Sequence, residues 1–174
     1  MVFAVSVSGC TDFFNNIGDE RQKDAEAYAQ ETGAQTYNGS VFSFFYPKNW
    51  DVYNNTSTVY IIDPNDTLTY LYLESWKLQS NQTVEGRLDE AIKETENNES
   101  RQINITSREK ITVSDIPYII VKVDETINGT QIKYLQAWFE KDGTAYILGG
   151  VTTPEKFDNL LRTFEMFIYS FKFN

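Results

Sequence analysis

Two tight turns, Asn128-Gly129 and Asp142-Gly143, constrain this chain more than any other feature. They separate three runs of alternating character: YIIVKVDETI, TQIKYLQAWFEK and TAYILGGV. A type I′ turn needs positive φ at both central positions, and Asn-Gly or Asp-Gly supplies it at little steric cost. Links this short force neighbouring strands to run antiparallel. INITSREKITV, joined through Ser114-Asp115-Ile116-Pro117, adds a fourth strand to the meander.

The same alternation recurs upstream. SVFSFFYP reads as an aromatic strand that ends at Pro47. NWDVY and TVYIID are short strands, the second closed by Pro64-Asn65-Asp66. TLTYLYLESWKL is a long strand with Leu68, Tyr70, Tyr72, Trp76 and Leu78 in one phase. Two stretches switch to a helical period. Thr83 opens the first, where Val84, Leu88, Ala91, Ile92 and Thr95 share a face, and Asn97-Asn98 ends it. The second opens with Thr153 as cap, Pro154 in the first turn and Glu155 favourably placed for the dipole. Its face of Phe157, Leu160, Leu161, Phe164, Phe167 and Ile168 should bury against the sheet. Each large side chain so buried contributes on the order of 1.5–3 kcal/mol. Gly149-Gly150, late in the last long strand, predicts close approach of a neighbouring helix or strand. Strands, helix, meander, helix is the order of an α+β domain: a twisted antiparallel sheet with helices packed on it. A chain of 174 residues with 15% aromatics can fill such a core as one domain with an appendage.

Charge and missing residue types remove several function classes. A formal charge of −10 opposes binding to nucleic acid and adsorption on anionic lipid. The chain has no histidine, which removes the usual neutral-pH base and the usual nitrogen ligand for zinc, copper or nickel. One cysteine leaves no intrachain disulfide and no thiolate cluster. Asp63-Pro64-Asn65-Asp66-Thr67, with Glu74 at the twelfth position, resembles a calcium loop, but Leu68 stands where that loop needs glycine. Asp124 and Glu125 are adjacent on a strand, so they point to opposite faces and form no acid dyad. No phosphate loop follows Gly149-Gly150. The expectation is no catalytic residue, no metal and no cofactor.

Cys10 and the asparagines bear on where the protein resides. Val7-Ser8-Gly9-Cys10 resembles the lipobox before which lipoprotein signals are cut, and Cys10 would then carry the lipid anchor. On this expectation residues 1–10 are the remnant of a signal that starts upstream of Met1. Residues 11–37 form a polar spacer, partly helical between Asp19 and Gln30, and the folded domain runs from 38 to 174. Eight of the 14 asparagines begin Asn-X-Ser/Thr: Asn38, Asn54, Asn55, Asn65, Asn81, Asn98, Asn104 and Asn128. Chance gives about two such sequons, which are glycosylation acceptors in exported proteins. Asn, Ser and Thr also share a preference for turns, which clusters them without any glycan. Together these features predict an extracytoplasmic protein, anchored by lipid alone to the outer face of the cytoplasmic membrane, of a type found in archaea.

Phe42-Ser43-Phe44-Phe45-Tyr46-Pro47-Lys48-Asn49-Trp50 resembles the opening of the PsbP-like family: an aromatic strand, Tyr-Pro, then Trp. The mid-chain helix, the meander and the ending Phe167-Ile168-Tyr169-Ser170-Phe171 extend the resemblance from about Tyr37 to Asn174. It implies an α-β-α sandwich, a fold shared with the Ran-binding protein Mog, and a non-catalytic accessory role. Photosynthetic members serve the oxygen-evolving complex, where histidine contributes to metal sites. This chain has no histidine, so no metal ligand carries over, and no Ran-binding residue can be matched. Within the motif, Pro47 ends the strand and Trp50 can fold back over the core edge.

Three readings of function follow. The first is a binding module whose partner is another envelope protein. The second is a small-ligand carrier that uses the concave sheet face, with Tyr70, Tyr72, Tyr134 and Trp138 as walls. The third is a hydrolase or lyase with two carboxylates in a sheet-lined pocket. Burial separates them: aromatics sealed under helices exclude the carrier, and a deep pocket with two buried acids favours the enzyme.

Overall fold

The computed structural model describes residues 9–55 and 57–174, with side chains from residue 17 on. Among the described residues there are ten strands and three helices. They are α1 (Gly9–Thr32), β1 (Gln35–Asn38), β2 (Phe42–Tyr46), β3 (Asp51–Asn54), β4 (Thr58–Asp63), β5 (Asp66–Lys77) and α2 (Val84–Glu96). After these come β6 (Arg101–Val113), β7 (Ile116–Ile127), β8 (Thr130–Lys141), β9 (Thr144–Thr152), α3 (Pro154–Tyr169) and β10 (Lys172–Phe173). Seven strands form one antiparallel sheet in the order β3-β4-β5-β9-β8-β7-β6. A second sheet, β1-β2-β10, sits beside the first.

The meander turns are as the sequence implies. Asn128 and Gly129 have φ of 49° and 83°, and Asp142 and Gly143 have 52° and 68°. Ser114 and Asp115 adopt the same pair of positive values, 48° and 65°, without a glycine to ease them. Long strands alternate sides, so β5 sends Leu71 and Leu73 to one face and Tyr70, Tyr72 and Trp76 to the other. Leu68, placed in that second set by its phase, lies 44% exposed near the start of β5.

α3 covers the first face, where Phe164, Phe167 and Ile168 are fully buried with Leu71, Leu73, Leu135, Phe139 and Leu148. Gly150 makes this contact possible, because a Cβ there would meet the Phe164 ring at 2.2 Å. Trp50 packs on the edge of the same core and its amide donates to the Pro47 carbonyl. Thr83 caps α2 as expected, its Oγ1 accepting from the Gly86 amide. Thr153 occupies the cap position of α3 without a side-chain cap bond, so Pro154 and Glu155 carry that helix start instead.

The spacer expectation needs correction. α1 is one continuous helix of 24 residues, and it lies against α3 and β6. Ala25 and Ala29 are buried in the contact, and a Cβ on Gly18 would fall 1.7 Å from the Thr112 carbonyl oxygen. The Arg21 guanidinium donates to both oxygens of Glu109, at 2.7 and 3.2 Å, and to the Tyr169 hydroxyl at 2.6 Å. Lys172 reaches Glu26 at 2.6 Å, and Arg162 lies over the Tyr28 ring. β1 also precedes the expected domain start at residue 38 and pairs with β2 from Gln35 to Asn38. Small residues and charged pairs, rather than an apolar stripe, hold α1, which is why its pattern reads as a solvated helix. The Cys10 side chain lies outside the described residues. No helix among the described residues is long and apolar enough to cross a membrane.

Candidate functional site

Among the described residues, the second face of the large sheet carries only α2. A 13-residue helix is about 20 Å long, while seven strands span roughly 29 Å across the hydrogen-bonding direction. One helix therefore cannot cover the face. Charge decides which part it covers. Glu85 pairs with Arg108 at 3.1 Å and Lys110 at 2.8 Å, and Asp89 pairs with Arg108 at 2.7 Å. All the basic partners lie on β6, so α2 is held at that edge of the sheet. A bulge between Ile105 and Ser107 turns Arg108 and Lys110 toward the helix. The opposite side, over β4 and β5, stays open.

The result is a cleft of about 630 Å³ between the C-terminal half of α2 and the sheet. Leu88, Ala91, Ile92 and Thr95 form its helix wall, and Tyr60, Tyr70, Tyr72, Tyr134 and Trp138 contribute from the strands. All four aromatics singled out from the sequence thus reach one cavity. Tyr134 and Trp138 are buried, whereas Tyr70 and Tyr72 keep part of their surface exposed. The set is not sealed under a helix, so the condition that would exclude a carrier is not met.

Polar groups in the cleft are linked in pairs and chains. Glu125, 4% exposed, accepts from Arg101 Nε and from the Tyr134 hydroxyl at 3.1 Å. Tyr60 donates to Glu74 at 3.2 Å. Trp138 Nε1 donates to Gln136 Oε1 at 2.9 Å, and the Gln136 amide donates to the Tyr72 hydroxyl. That last bond joins β5 to β8 across β9. It exists because residue 149 is glycine: a Cβ there would stand 2.4 Å from Tyr72 Cε1. Tyr72 therefore lies over the backbone of β9 and reaches the strand beyond.

The phenols are held neutral. Burial pushes Tyr70 and Tyr72 upward, and burial followed by the Glu125 charge does the same for Tyr134. Tyr60 rises through burial and then the adjacent Glu74 carboxylate. Arg101 is raised mainly by its bond to Glu125 and stays cationic.

The carboxylates do not form a dyad. Glu125 is the buried acid and is occupied by Arg101 and Tyr134, while Glu74 is only partly buried and Glu94 is exposed. Asp124 points to the α3 side, where it pairs with Lys133 at 3.4 Å. Asp63 and Asp66 organise the β4–β5 turn: Asp63 accepts from the Asn65 amide, and Asp66 binds Lys156 and Thr69. Among the described residues no three His, Cys, Asp or Glu side chains are grouped to hold a metal ion. All eight sequon asparagines are exposed. Asn55, Asn98 and Asn128 also have turn roles, as acceptors for following amides or at positive φ.

Tyr60 and Arg101 escaped the sequence reading, which weighed Glu74 only for a calcium loop and Glu125 only for an acid dyad with Asp124. Their partners lie on other strands, and only the register brings Tyr60 opposite Tyr72 and sets Arg101 near Glu125. The alternation that marked Tyr70 and Tyr72 also marks Tyr60, so that one signal was present.

Over residues 1–173 the chain matches the PsbP-like protein family. No curated protein matches it. Among solved structures, CyanoP, the cyanobacterial PsbP of Synechocystis, aligns with a TM-score of 0.66 at 14% identity, covering 81% of this chain and 92% of that one. LpqN of Mycobacterium tuberculosis, involved in cell envelope biogenesis, aligns with a TM-score of 0.55 at 14% identity, covering 86% of this chain and 96% of that one. PA94 of Pseudomonas aeruginosa, a protein of unknown function, gives 0.53 at 11% identity, covering 74% and 88%. At these identities the likeness is one of fold. The near-complete family match, with strands and helices laid out as in a cyanobacterial PsbP, makes this chain a member of the PsbP-like family.

Proposed function

We propose that the chain is a non-catalytic accessory domain that acts by binding, outside the cytoplasmic membrane, with an envelope protein as partner. One observation carries the reading: a built, open cleft whose single buried acid is already engaged by an arginine and a tyrosine. Such a cavity presents surface and hydrogen-bonding groups without a free acid–base pair. Two fold neighbours, CyanoP and the envelope-biogenesis protein LpqN, fit an accessory role of this kind. Cys10 is the proposed lipid attachment point, and exposed sequon asparagines are the proposed glycan sites.

The test has two parts. Metabolic lipid labelling of the full-length gene product should be lost on Cys10→Ser; label that persists removes the anchor. A photo-crosslinking side chain in place of Tyr70 should give one defined envelope adduct in cells. The same probe in place of Asp158, exposed on α3, should give none. Equal adducts from both positions would remove the cleft as the binding surface.

A second reading, the small-ligand carrier, is favoured by the convergence of Tyr70, Tyr72, Tyr134 and Trp138 on one cavity. Its volume of about 630 Å³ suits a single small molecule.

A further inference from the structure

We propose that the cleft binds a small organic cation, an alkylated ammonium head held against Tyr60, Tyr70 and Tyr72 with the Glu74 carboxylate beside it. The inference rests on the ligand-carrying reading of the cleft and names its ligand class.

The three rings form a nearly equilateral triangle. Centroids are 6.1 Å apart for Tyr60 and Tyr70, 6.3 Å for Tyr60 and Tyr72, and 6.1 Å for Tyr70 and Tyr72. Their planes meet at 63°, 32° and 49°, so no ring stacks flat on another. A cation is attracted to an aromatic face when it lies within about 6 Å of the ring centroid. A head group seated over the centre of this triangle lies within that reach of all three rings at once.

Register explains the triangle. Tyr60 and Tyr72 are direct cross-strand partners, and Tyr70 is two residues along the same face. All three remain partly exposed, because α2 is tied to the β6 edge. The cluster is half-buried and lines the cleft instead of being sealed beneath the helix.

Charge selects the sign of the ligand. Glu74, Glu94 and Glu125 line the cleft against a single guanidinium, Arg101, which is committed to Glu125. The four phenols stay neutral, so they add no negative charge of their own and remain hydrogen-bond donors. An anionic ligand would meet the Glu74 and Glu94 carboxylates, whereas a cation meets Glu74 and three neutral rings.

The experiment compares choline with 3,3-dimethylbutan-1-ol, its uncharged carbon isostere, on the full chain, reading tyrosine ring resonances by NMR titration. Choline should shift the resonances of Tyr60, Tyr70 and Tyr72, and the alcohol should bind roughly tenfold more weakly or less. Glu74→Gln should weaken choline several-fold and leave the alcohol unchanged. Equal affinity for the two probes, or no shift with choline at millimolar concentration, overturns the proposal. The wild-type comparison needs no variant to fold. Binding of a Gly-Lys-Gly peptide without binding of choline would assign the cation to a partner's side chain and overturn the small-molecule source. An envelope adduct from residue 70 with no choline shift would leave the accessory role standing and remove this inference alone.

Discussion

Gly149 and Gly150 are neighbours in the chain and serve opposite faces of the sheet. Gly150 admits the ring of Phe164 from α3, and Gly149 admits the ring of Tyr72 over the cleft floor. Alanine at either place meets ring atoms closer than 2.5 Å, but the consequences differ. Phe164 is fully buried, so Gly150→Ala must displace a helix; the expected loss is about 2–3 kcal/mol, at the upper end for an overpacked core. Tyr72 is partly exposed and can swing away, so Gly149→Ala should cost about 1 kcal/mol and abolish the Tyr72–Gln136 bond. Urea denaturation gives both numbers, and the cleft tyrosine resonances report the second change. Arg101→Ala is a different kind of lesion, because it leaves Glu125 buried without its counter-charge. Arg101 is about one-third exposed, so the expected loss is about 2–3 kcal/mol, below that of a fully buried pair. The double change Arg101→Met, Glu125→Gln should recover most of it; recovery of none would mean the pair has no special weight.

At the scale of elements, α1 is the informative case. Gly18 faces the Thr112 carbonyl at a distance that no Cβ can occupy, and the atom it meets is backbone. Gly18→Ala would normally favour a helix by up to about 1 kcal/mol. Here it should destabilise the protein and detach α1 from β6 and α3, read as faster amide exchange in α1, in β6 and on the α1-facing side of α3, with β9 unchanged. A stabilised variant would mean that the helix docks more loosely than its contacts imply. The same element marks where sequence reasoning stops. The meander was legible because Asn128-Gly129 and Asp142-Gly143 encode turn geometry locally, and α3 was legible because Phe157, Phe164 and Phe167 encode a face. Docking of α1 depends on Gly18 against Thr112 and on Arg21 with Glu109, residues 88 apart in sequence, and no local pattern carries that. The cleft divides in the same way. Tyr70, Tyr72, Tyr134 and Trp138 announce an aromatic face by alternation, whereas the Arg101–Glu125 pair depends on the placement of β6 beside β7.

For the whole molecule, pH dependence follows from which groups are buried. There is no histidine to titrate near neutrality. Seven tyrosines are raised, chiefly by burial: Tyr60, Tyr70, Tyr72, Tyr118, Tyr134, Tyr146 and Tyr169, the last pushed up to about 12. A group raised in the folded state contributes stability that is fully present below its unfolded value and lost as pH rises through its folded value. The melting temperature should therefore stay level between about pH 7 and 9 and fall beyond about pH 10, where unfolded phenols ionise. The phenolate absorbance contributed by these seven buried or half-buried rings should rise together with loss of structure rather than before it. A marked fall already between pH 7 and 9 would count against this account.

One face of the large sheet is closed by α1 and α3, and the other is roofed at one edge only. The two faces share backbone and little else. A substitution on the closed side meets the packed core, whereas one on the open side meets the half-buried lining of the cleft. Solved structures at 11–14% identity share this fold. Changing the rings and charges of the half-covered face therefore leaves the Phe164 side of the sheet undisturbed.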